Sequence, residues 1–457
     1  MQLGIRDSFA GWAGRACAWG LRTVLHRSAS TLPGRVAMAL DPGVLGSLAD
    51  KVTRGSVVVC GTNGKTTTNN VLARAIEESG MSVFCNRAGA NMESGVVTAL
   101  LPAGRADWGV FENDELSTVR VVPRVRPRYF VLLNLFRDQL DRCGELDRIQ
   151  QTIGDALAAS PETVLVYNAD DPLCESVALR FRASGGRTMG FGIDEDLHLP
   201  GDRVAGGAFC QRCSSPLSYA YRQYGQLGKY VCPACGFGRP ELAFSASNVE
   251  VGVEGVAFDA HVRTAPESGD AAGTVRLRAR WGGTYMVYNL LAAYAAALLV
   301  GVGAEAFQRV LDSYAPENGR LQRLEVRGRQ ATLNLAKNPT GYNQNIAMLM
   351  GDPAPKIVYI VINDDYNDGR DVSWLWDVDF ERLAQGPECR VFAGGTRAND
   401  MQVRLKYADI DAAIAGDVAE VLDAVGDLPS NWHLWVLPNY SALSVVKAEL
   451  EGLGAER

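Results

Sequence analysis

The feature that most constrains this 457-residue chain is a glycine-rich turn set between a strand and a helix. Residues 56–60 (SVVVC) read as a short buried strand; Gly61-Thr62-Asn63-Gly64 follows, and a helix is expected from near Lys65. Glycines let backbone N–H groups approach phosphate oxygens, the helix N-terminus adds its positive end, and Lys65 reaches the outer phosphates. Thr66 and Thr67 follow, and Thr66 offers a hydroxyl to Mg2+. The usual spacing, G-x4-G-K-[ST], would put glycine at position 59, where Val59 stands, so this is a shortened phosphate loop. A turn that merely capped a helix would not need the lysine and threonines, so a nucleoside triphosphate is the expected ligand.

Further strand-like runs lie at 108–112, 129–134 and 163–168, with helical patterns at 146–159 and 172–182. Strands alternating with helices predict a parallel sheet covered on both faces. Residues 1–54 read as an amphipathic helical lead-in, and 55–325 as the ATP-binding α/β unit. A compact insertion at 207–240 interrupts that unit, and a helix at 289–302 resumes it. A second α/β unit is expected over 326–457, with strands at 357–362, 390–393 and 433–437 and a closing helix from Ser441. The segment 266–273 reads as a polar surface turn. The chain is long enough for two or three such units, each with its own core.

The insertion holds Cys210-x2-Cys213 and, eighteen residues later, Cys232-x2-Cys235, four of the ten cysteines. Each short loop turns two sulfurs toward one ion, so a tetrahedral zinc site is expected, against two hairpin disulfides or four free thiols. So small a unit lacks a core, and the zinc is expected to hold it together. Lys plus Arg number 45 against 52 for Asp plus Glu, a net charge of −7, which gives no support to nucleic-acid binding. No run reaches 18 uninterrupted apolar residues and no compact apolar run follows the N-terminal arginines, so neither a membrane anchor nor a signal peptide is expected. A cytoplasmic protein is expected.

Phe111-Glu112-Asn113-Asp114-Glu115 ends the run at 108–112. A carboxylate at the carboxyl edge of a parallel sheet, beside a phosphate loop, is placed to hold Mg2+, and Glu112 is the candidate. The alternative is an acidic loop in plain solvent.

Taken in order, these features resemble the Mur ligase superfamily of ATP-dependent amide ligases, whose loop reads GTNGK[ST][ST]. Gly89-Ala90-Asn91 is similar to a substrate-side turn of that family, and residues 134–142 (NLFRDQLDR) to its N-x3-D-H-L-D stretch. Tyr167-Asn168-Ala169-Asp170-Asp171 is similar to its N-x-D-D segment, Tyr288-Asn289-Leu290-Leu291-Ala292-Ala293 to its adenine-side helix start, and Gly319-Arg320 to its Gly-Arg turn. The sequence departs from the family in two places. Gln139 stands where the family has a metal-ligating His, and no lysine lies between Lys65 and Lys229 to serve as the carbamylated one. The C-terminal stretches 335–344 (LAKNPTGYNQ), 362–377 (INDDYNDGRDVSWLWD) and 437–443 (LPNYSAL), with the four-cysteine ribbon, resemble the MurT-type subunit of lipid II isoglutaminyl synthase.

The resemblance implies a Mur-ligase-like ATP-binding domain with an inserted zinc ribbon and a C-terminal α/β domain. It implies ATP held by Gly61, Thr62, Asn63, Gly64, Lys65, Thr66, Thr67, Asn289, Arg320 and Lys337, Mg2+ by Thr66 and Glu112, and substrate by Asn91. The implied reaction amidates the D-glutamate α-carboxylate of the lipid II stem peptide to D-isoglutamine through an acyl phosphate, at the inner face of the membrane. Ammonia must come from glutamine, and glutaminase chemistry needs a Cys–His pair. None of the four histidines stands in such a setting, so a GatD-type glutaminase partner is implied as the other half of a heterodimer. In the family an aspartate from this subunit completes the partner's Cys–His pair; Asp364 is the first choice and Asp368 the second. The rival expectations are a stand-alone Mur-like or folylpolyglutamate-like ligase and a nucleotide-regulated zinc-ribbon binding module without ligase chemistry.

Overall fold

A computed structural model describes residues 5–138, 146–202, 207–263, 273–315, 319–366 and 368–455. Expectations placed on Gln139 and the rest of the stretch to 142, on Asn367 and on residues 266–272 lie outside them. The lead-in is helical: α1 (Ile5–Trp19) runs into a π turn at Gly20–Val24, followed by α2 (Leu32–Leu40) and α3 (Val44–Ala49).

The first sheet then opens with β1 (Val52–Cys60), α4 (Lys65–Glu78), β2 (Val83–Cys85), α5 (Glu93–Leu100), β3 (Ala106–Glu112), α6 (Thr118–Val125) and β4 (Tyr129–Leu132). It continues through α7 (Leu146–Ala158), β5 (Val164–Asn168), α8 (Pro172–Ala183) and β6 (Arg187–Ile193). Each strand from β1 to β6 pairs in parallel, and helices cover both faces, so β4 and β5 are buried along their whole length as two-sided strands must be.

After the insertion, with its hairpin β7 (Ser218–Tyr224) and β8 (Leu227–Val231), come β9 (Phe244–Val251), β10 (Val256–Val262) and β11 (Gly273–Ala279). β9 joins β6 in parallel, but β10 and β11 pair antiparallel. The expected parallel sheet is present and carries an antiparallel edge. The reason is local: buried and half-buried residues alternate along β10, and residues 252–255 between β9 and β10 are too few for a crossover. The order is β11-β10-β9-β6-β5-β4-β1-β3-β2. From β1 the chain builds outward to β3 and β2 on one side, then to β4, β5 and β6 on the other. The carboxyl end of β1 is thus the point where connections diverge and leave a crevice.

Two helices close this unit, α9 (Thr284–Leu299) and α10 (Ala304–Ser313). α9 starts five residues before the expected 289, so Asn289 sits in its second turn rather than at its start. From Thr284 to Leu298 only Tyr285 escapes full burial, and an apolar helix of this kind belongs inside a core.

The second sheet comprises β12 (Gln322–Val326), β13 (Arg329–Leu333), β14 (Lys356–Val361), β15 (Cys389–Gly394), β16 (Ala412–Ile414) and β17 (His433–Pro438), ordered β12-β13-β17-β14-β15-β16. β12 spans the 325/326 division drawn from sequence and lies wholly in this sheet, antiparallel to β13. α11 (Pro339–Met350), α12 (Ala398–Lys406), α13 (Val418–Ala424) and α14 (Leu443–Ala455) accompany it. The last begins two residues after the expected Ser441. Among the described residues no helix is long and apolar enough to cross a membrane.

Candidate active site

The phosphate loop leaves β1 at the divergence point and enters α4 through Gly64, whose φ of 91° is left-handed backbone. A Cβ there would also stand 2.1 Å from Asn289 Oδ1, so only glycine fits between loop and α9. The loop is held from behind by the segment after β4. Thr62 N–H donates to Asn134 O (3.0 Å), Asn63 N–H to Asn134 Oδ1 (2.9 Å), and Phe136 N–H to Thr62 Oγ1 (2.9 Å).

That segment is fixed in turn by the N-x-D-D stretch. Asp171 Oδ2 accepts from Leu135 N–H (2.8 Å) and Oδ1 from Leu173 N–H (3.0 Å), capping α8. Burial without a cation beside it raises the Asp171 carboxyl to about 6. Asp170 meets Arg239 at 3.0 Å and the Tyr288 hydroxyl at 2.7 Å. Asp171 braces the loop's support and Asp170 ties the ribbon to α9; neither lines the cavity.

The Lys65 ammonium is buried, donating to Gly61 O and, at 3.1 Å, to Glu115 Oε1. Burial alone would lower it, but the carboxylates of Glu115, Glu112 and Asp114 outweigh that and hold it above the ordinary lysine value. Thr66 Oγ1 donates to Glu112 Oε2 (2.7 Å), and Asn91 Nδ2 lies 3.3 Å from Glu112 Oε1. Asn86 holds the Glu112 backbone from both sides, at 2.9 Å and 2.8 Å. One carboxylate thus joins the loop threonine to the Gly89-Ala90-Asn91 turn.

The second unit supplies the remaining wall. Asn63 and Asn338 exchange side-chain amide hydrogen bonds at 3.0 and 3.3 Å, although 275 residues separate them. Asn338 also caps α11, accepting from Gly341 N–H at 2.8 Å. Lys337 pairs with Asp138. These elements enclose a cavity of about 570 Å3 whose lining includes Lys65, Thr66, Asn91, Glu112, Asn289, Arg320 and Lys337. Every expected nucleotide, magnesium and substrate residue except Gly61 lines it, and Gly61 O accepts from Lys65.

Asp364 and Asp368 are elsewhere, beyond the carboxyl end of β14. Asp364 Oδ1 accepts from the Thr396 hydroxyl (2.8 Å), and its other oxygen is 3.6 Å from Arg397 Nε, on the surface. Asp368 is buried; Oδ1 accepts from Ser441 N–H (3.1 Å), Oδ2 has no hydrogen-bond partner among the described residues, and burial raises its carboxyl. The cavity reaches this edge only at Tyr440.

The four expected zinc ligands converge. Their sulfurs lie within 4.8 Å of one another, with Cys210–Cys235 and Cys213–Cys232 at 3.5 Å. A tetrahedron with bonds of about 2.3 Å needs separations of about 3.8 Å, so the donor set fits a zinc ion. Hydrogen bonds from Ser215 draw the Cys213 thiol down to about 6, toward the thiolate a metal binds. The ribbon is not a detached module. Tyr224, at the tip of its hairpin, lines the cavity and packs 5.9 Å from both Phe136 and Tyr288, while Gln226 Nε2 donates to Leu135 O at 2.8 Å.

Glu115, Asn86 and Tyr224 were not anticipated as parts of the site. Glu115 stood in the quoted acidic stretch, which gave no reason to separate it from Glu112. No local signal marks the other two.

The residues 59–213 match the Mur ligase middle domain, and 335–443 match the MurT ligase C-terminal domain. A pseudomurein peptide ligase type C from Methanothermus fervidus has a similar structure: TM-score 0.66 and 20% identity, over 89% of this chain and 80% of that one. Fold and cavity thus define a Mur-type ligase architecture. Among curated proteins, the lipid II isoglutaminyl synthase (glutamine-hydrolyzing) subunit MurT of Staphylococcus aureus (strain N315) is 31% identical over 428 residues, 92% of each chain. That of Streptococcus pneumoniae (strain ATCC BAA-255 / R6) is 32% identical over 422 residues, 91% of this chain and 90% of its own. The chain belongs to the MurT family of lipid II isoglutaminyl synthase subunits.

Proposed function

We propose that this chain is the ATP-dependent ligase subunit that amidates the D-glutamate α-carboxylate of the lipid II stem peptide, using ammonia from a GatD-type glutaminase partner. The observation that carries this reading is the linkage of Thr66, Glu112 and Asn91 in one cavity with Lys65, Arg320 and Lys337. It supports reading the loop as the triphosphate site and the turn joined to it as the substrate side.

A carboxylate is a poor electrophile until one oxygen becomes a leaving group. Its attack on the γ-phosphorus of ATP gives an acyl phosphate and ADP; ammonia then attacks the acyl carbon, and phosphate leaves with the amide formed. Backbone N–H groups of residues 61–66 and the Lys65 ammonium would bind the phosphates and offset the charge that develops on them. To do so, Lys65 exchanges its contact with the Gly61 carbonyl for phosphate oxygen while Glu115 keeps it charged. Thr66 and Glu112 would hold Mg2+, which neutralises phosphate charge when bound. Asn91 would orient the stem peptide, and Arg320 and Lys337 would contact phosphate from the second unit, so most of the acceleration is positioning and charge stabilisation.

The need for a partner is supported by the histidines: His198 meets Asp196, His261 meets Ser247 and Thr274, and His433 meets Asp352. Asp364, surface-placed after β14, is our choice for the aspartate that orients the partner's histidine, with Asp368 second.

The test is co-expression with a GatD-type glutaminase and mass spectrometry of lipid II after incubation with ATP and glutamine. A loss of about one dalton per stem peptide is expected from replacing a hydroxyl by an amino group, and Lys65→Ala should abolish it. Asp364→Asn should lose glutamine-dependent amidation and keep ammonium-dependent amidation. No product with either nitrogen source, despite ATP binding, would refute the reading.

A further inference from the structure

One surface takes no part in this chemistry: the outward face of α1. The inward face is fixed. Ala10 joins Ala37, Leu48, Val96 and Leu100 in a buried cluster. α2 meets α5 so closely that a Cβ on Gly34 would stand 1.9 Å from the Ser94 carbonyl oxygen. The lead-in is therefore part of the body of the molecule.

Its outward face is aromatic. Phe9, Trp12 and Trp19 are 56%, 59% and 64% exposed, and Phe9 stacks on Trp12 with ring centroids 6.1 Å apart. With Ala16 they recur at steps of three and four, an arc of about 80° at roughly 100° per residue. Arg6 and Arg15 are exposed on either side of this arc. Each spends one donor on the body (Arg6 Nε to Leu40 O at 3.0 Å, Arg15 Nη1 to Leu101 O at 3.4 Å) and keeps the others. Asp7 faces the body, accepting from the Ser47 hydroxyl at 2.7 Å. Beyond α1, Val24 and Leu25 are also exposed, beside Arg22 and Arg27. Residues 5–35 hold five arginines and one carboxylate, within a chain of net charge −7.

Large aromatics aligned in solvent mark a contact surface. A second copy of the chain would bring two arginine-rich faces together, at a repulsive cost. Indole and phenyl rings flanked by arginines suit the headgroup region of a bilayer, where rings seat at the interface and guanidinium groups reach lipid phosphates. The same segment leads to Ser30 and Thr31, which line the cavity.

We propose that α1 and the turn after it dock on an anionic bilayer surface, Phe9, Trp12 and Trp19 at headgroup level and Arg6, Arg15, Arg22 and Arg27 on lipid phosphates. The docking stands on the composition and placement of the helix. Its purpose, to hold the cavity mouth at the surface that carries a lipid-linked substrate, rests on the function proposed above.

Co-sedimentation of the full chain, alone and with its glutaminase partner, tests this on vesicles of phosphatidylcholine with and without phosphatidylglycerol. Binding is expected only with the anionic lipid, weakening as salt rises. The double variant Trp12→Ser/Trp19→Ser should bind about tenfold more weakly or worse, and each arginine replaced by glutamine should cost about fivefold. Circular dichroism and a thermal melt matching the parent establish that the variants fold. Amidation of lipid-linked substrate in vesicles should then fall in the double variant, while that of a soluble stem-peptide precursor stays unchanged. Equal binding by parent and variant, binding to neutral vesicles alone, or no binding at all would overturn the proposal. So would protection of Trp12 and Trp19 by the partner protein without lipid. If neither substrate is amidated, the functional reading fails, and the vesicle binding still decides the docking.

Discussion

At the scale of single residues the site is a set of charges held in check. Lys65 is buried among three carboxylates and keeps its proton because Glu115 lies 3.1 Å away. Glu115→Gln is therefore expected to weaken ATP binding about tenfold or more, by leaving a buried ammonium with one partner fewer; isothermal titration with ATP and Mg2+ reads this directly. Glu112→Gln should instead shift the Mg2+ requirement upward, by about tenfold in the half-saturating concentration, while the thermal melt changes little. Asp171 gives a pH prediction. Its carboxyl is raised from 3.8 to about 6 in the fold, so the folded state binds its proton more tightly than the unfolded chain does. The stability it confers is present at low pH and lost as pH rises from about 4 to about 6. The carboxyl carbon of Asp171, followed by NMR, should titrate near 6; a midpoint near 4 would contradict this.

At the scale of elements, the sequence disclosed whatever is encoded by neighbours in the chain. Gly61 to Thr67 reads as a phosphate loop because strand, turn and helix all occur within a dozen residues, and the convergence of the four cysteines is legible from spacing alone. The antiparallel edge β9 to β11 is not legible in the sequence, because its alternation lies beside a polar stretch and an apolar helix follows that fits an α/β pattern equally well. Nor could spacing show that the ribbon leans on the loop: Tyr224 meets Phe136 and Tyr288 only through tertiary packing. That contact makes the ribbon answerable to the site. Cys210→Ser should lower bound zinc, measured by inductively coupled plasma mass spectrometry. It should also loosen the hairpin, read as faster amide exchange in residues 218–231 and, through Tyr224, in residues 134–136.

At the scale of the whole molecule, the cavity is a seam between two sheets. Asn63–Asn338 and Asp138–Lys337 cross it, pairs whose members lie 275 and 199 residues apart, which is why no window of sequence could reveal them. Asn338→Ala removes both the bridge and the α11 cap and should cost about 1–2 kcal/mol of stability. It should also enlarge the radius of gyration in small-angle scattering without ATP more than with it. The order in which the walls appear during synthesis has a consequence of its own. Lining residues run from Ser30 to Tyr440, so the pocket is unfinished until Tyr440 has been made. A chain stalled before residue 320 carries the sequence of the first sheet and its phosphate loop, yet lacks Arg320 and the Lys337–Asp138 pair across the seam. The cavity therefore takes shape only once both sheets are present.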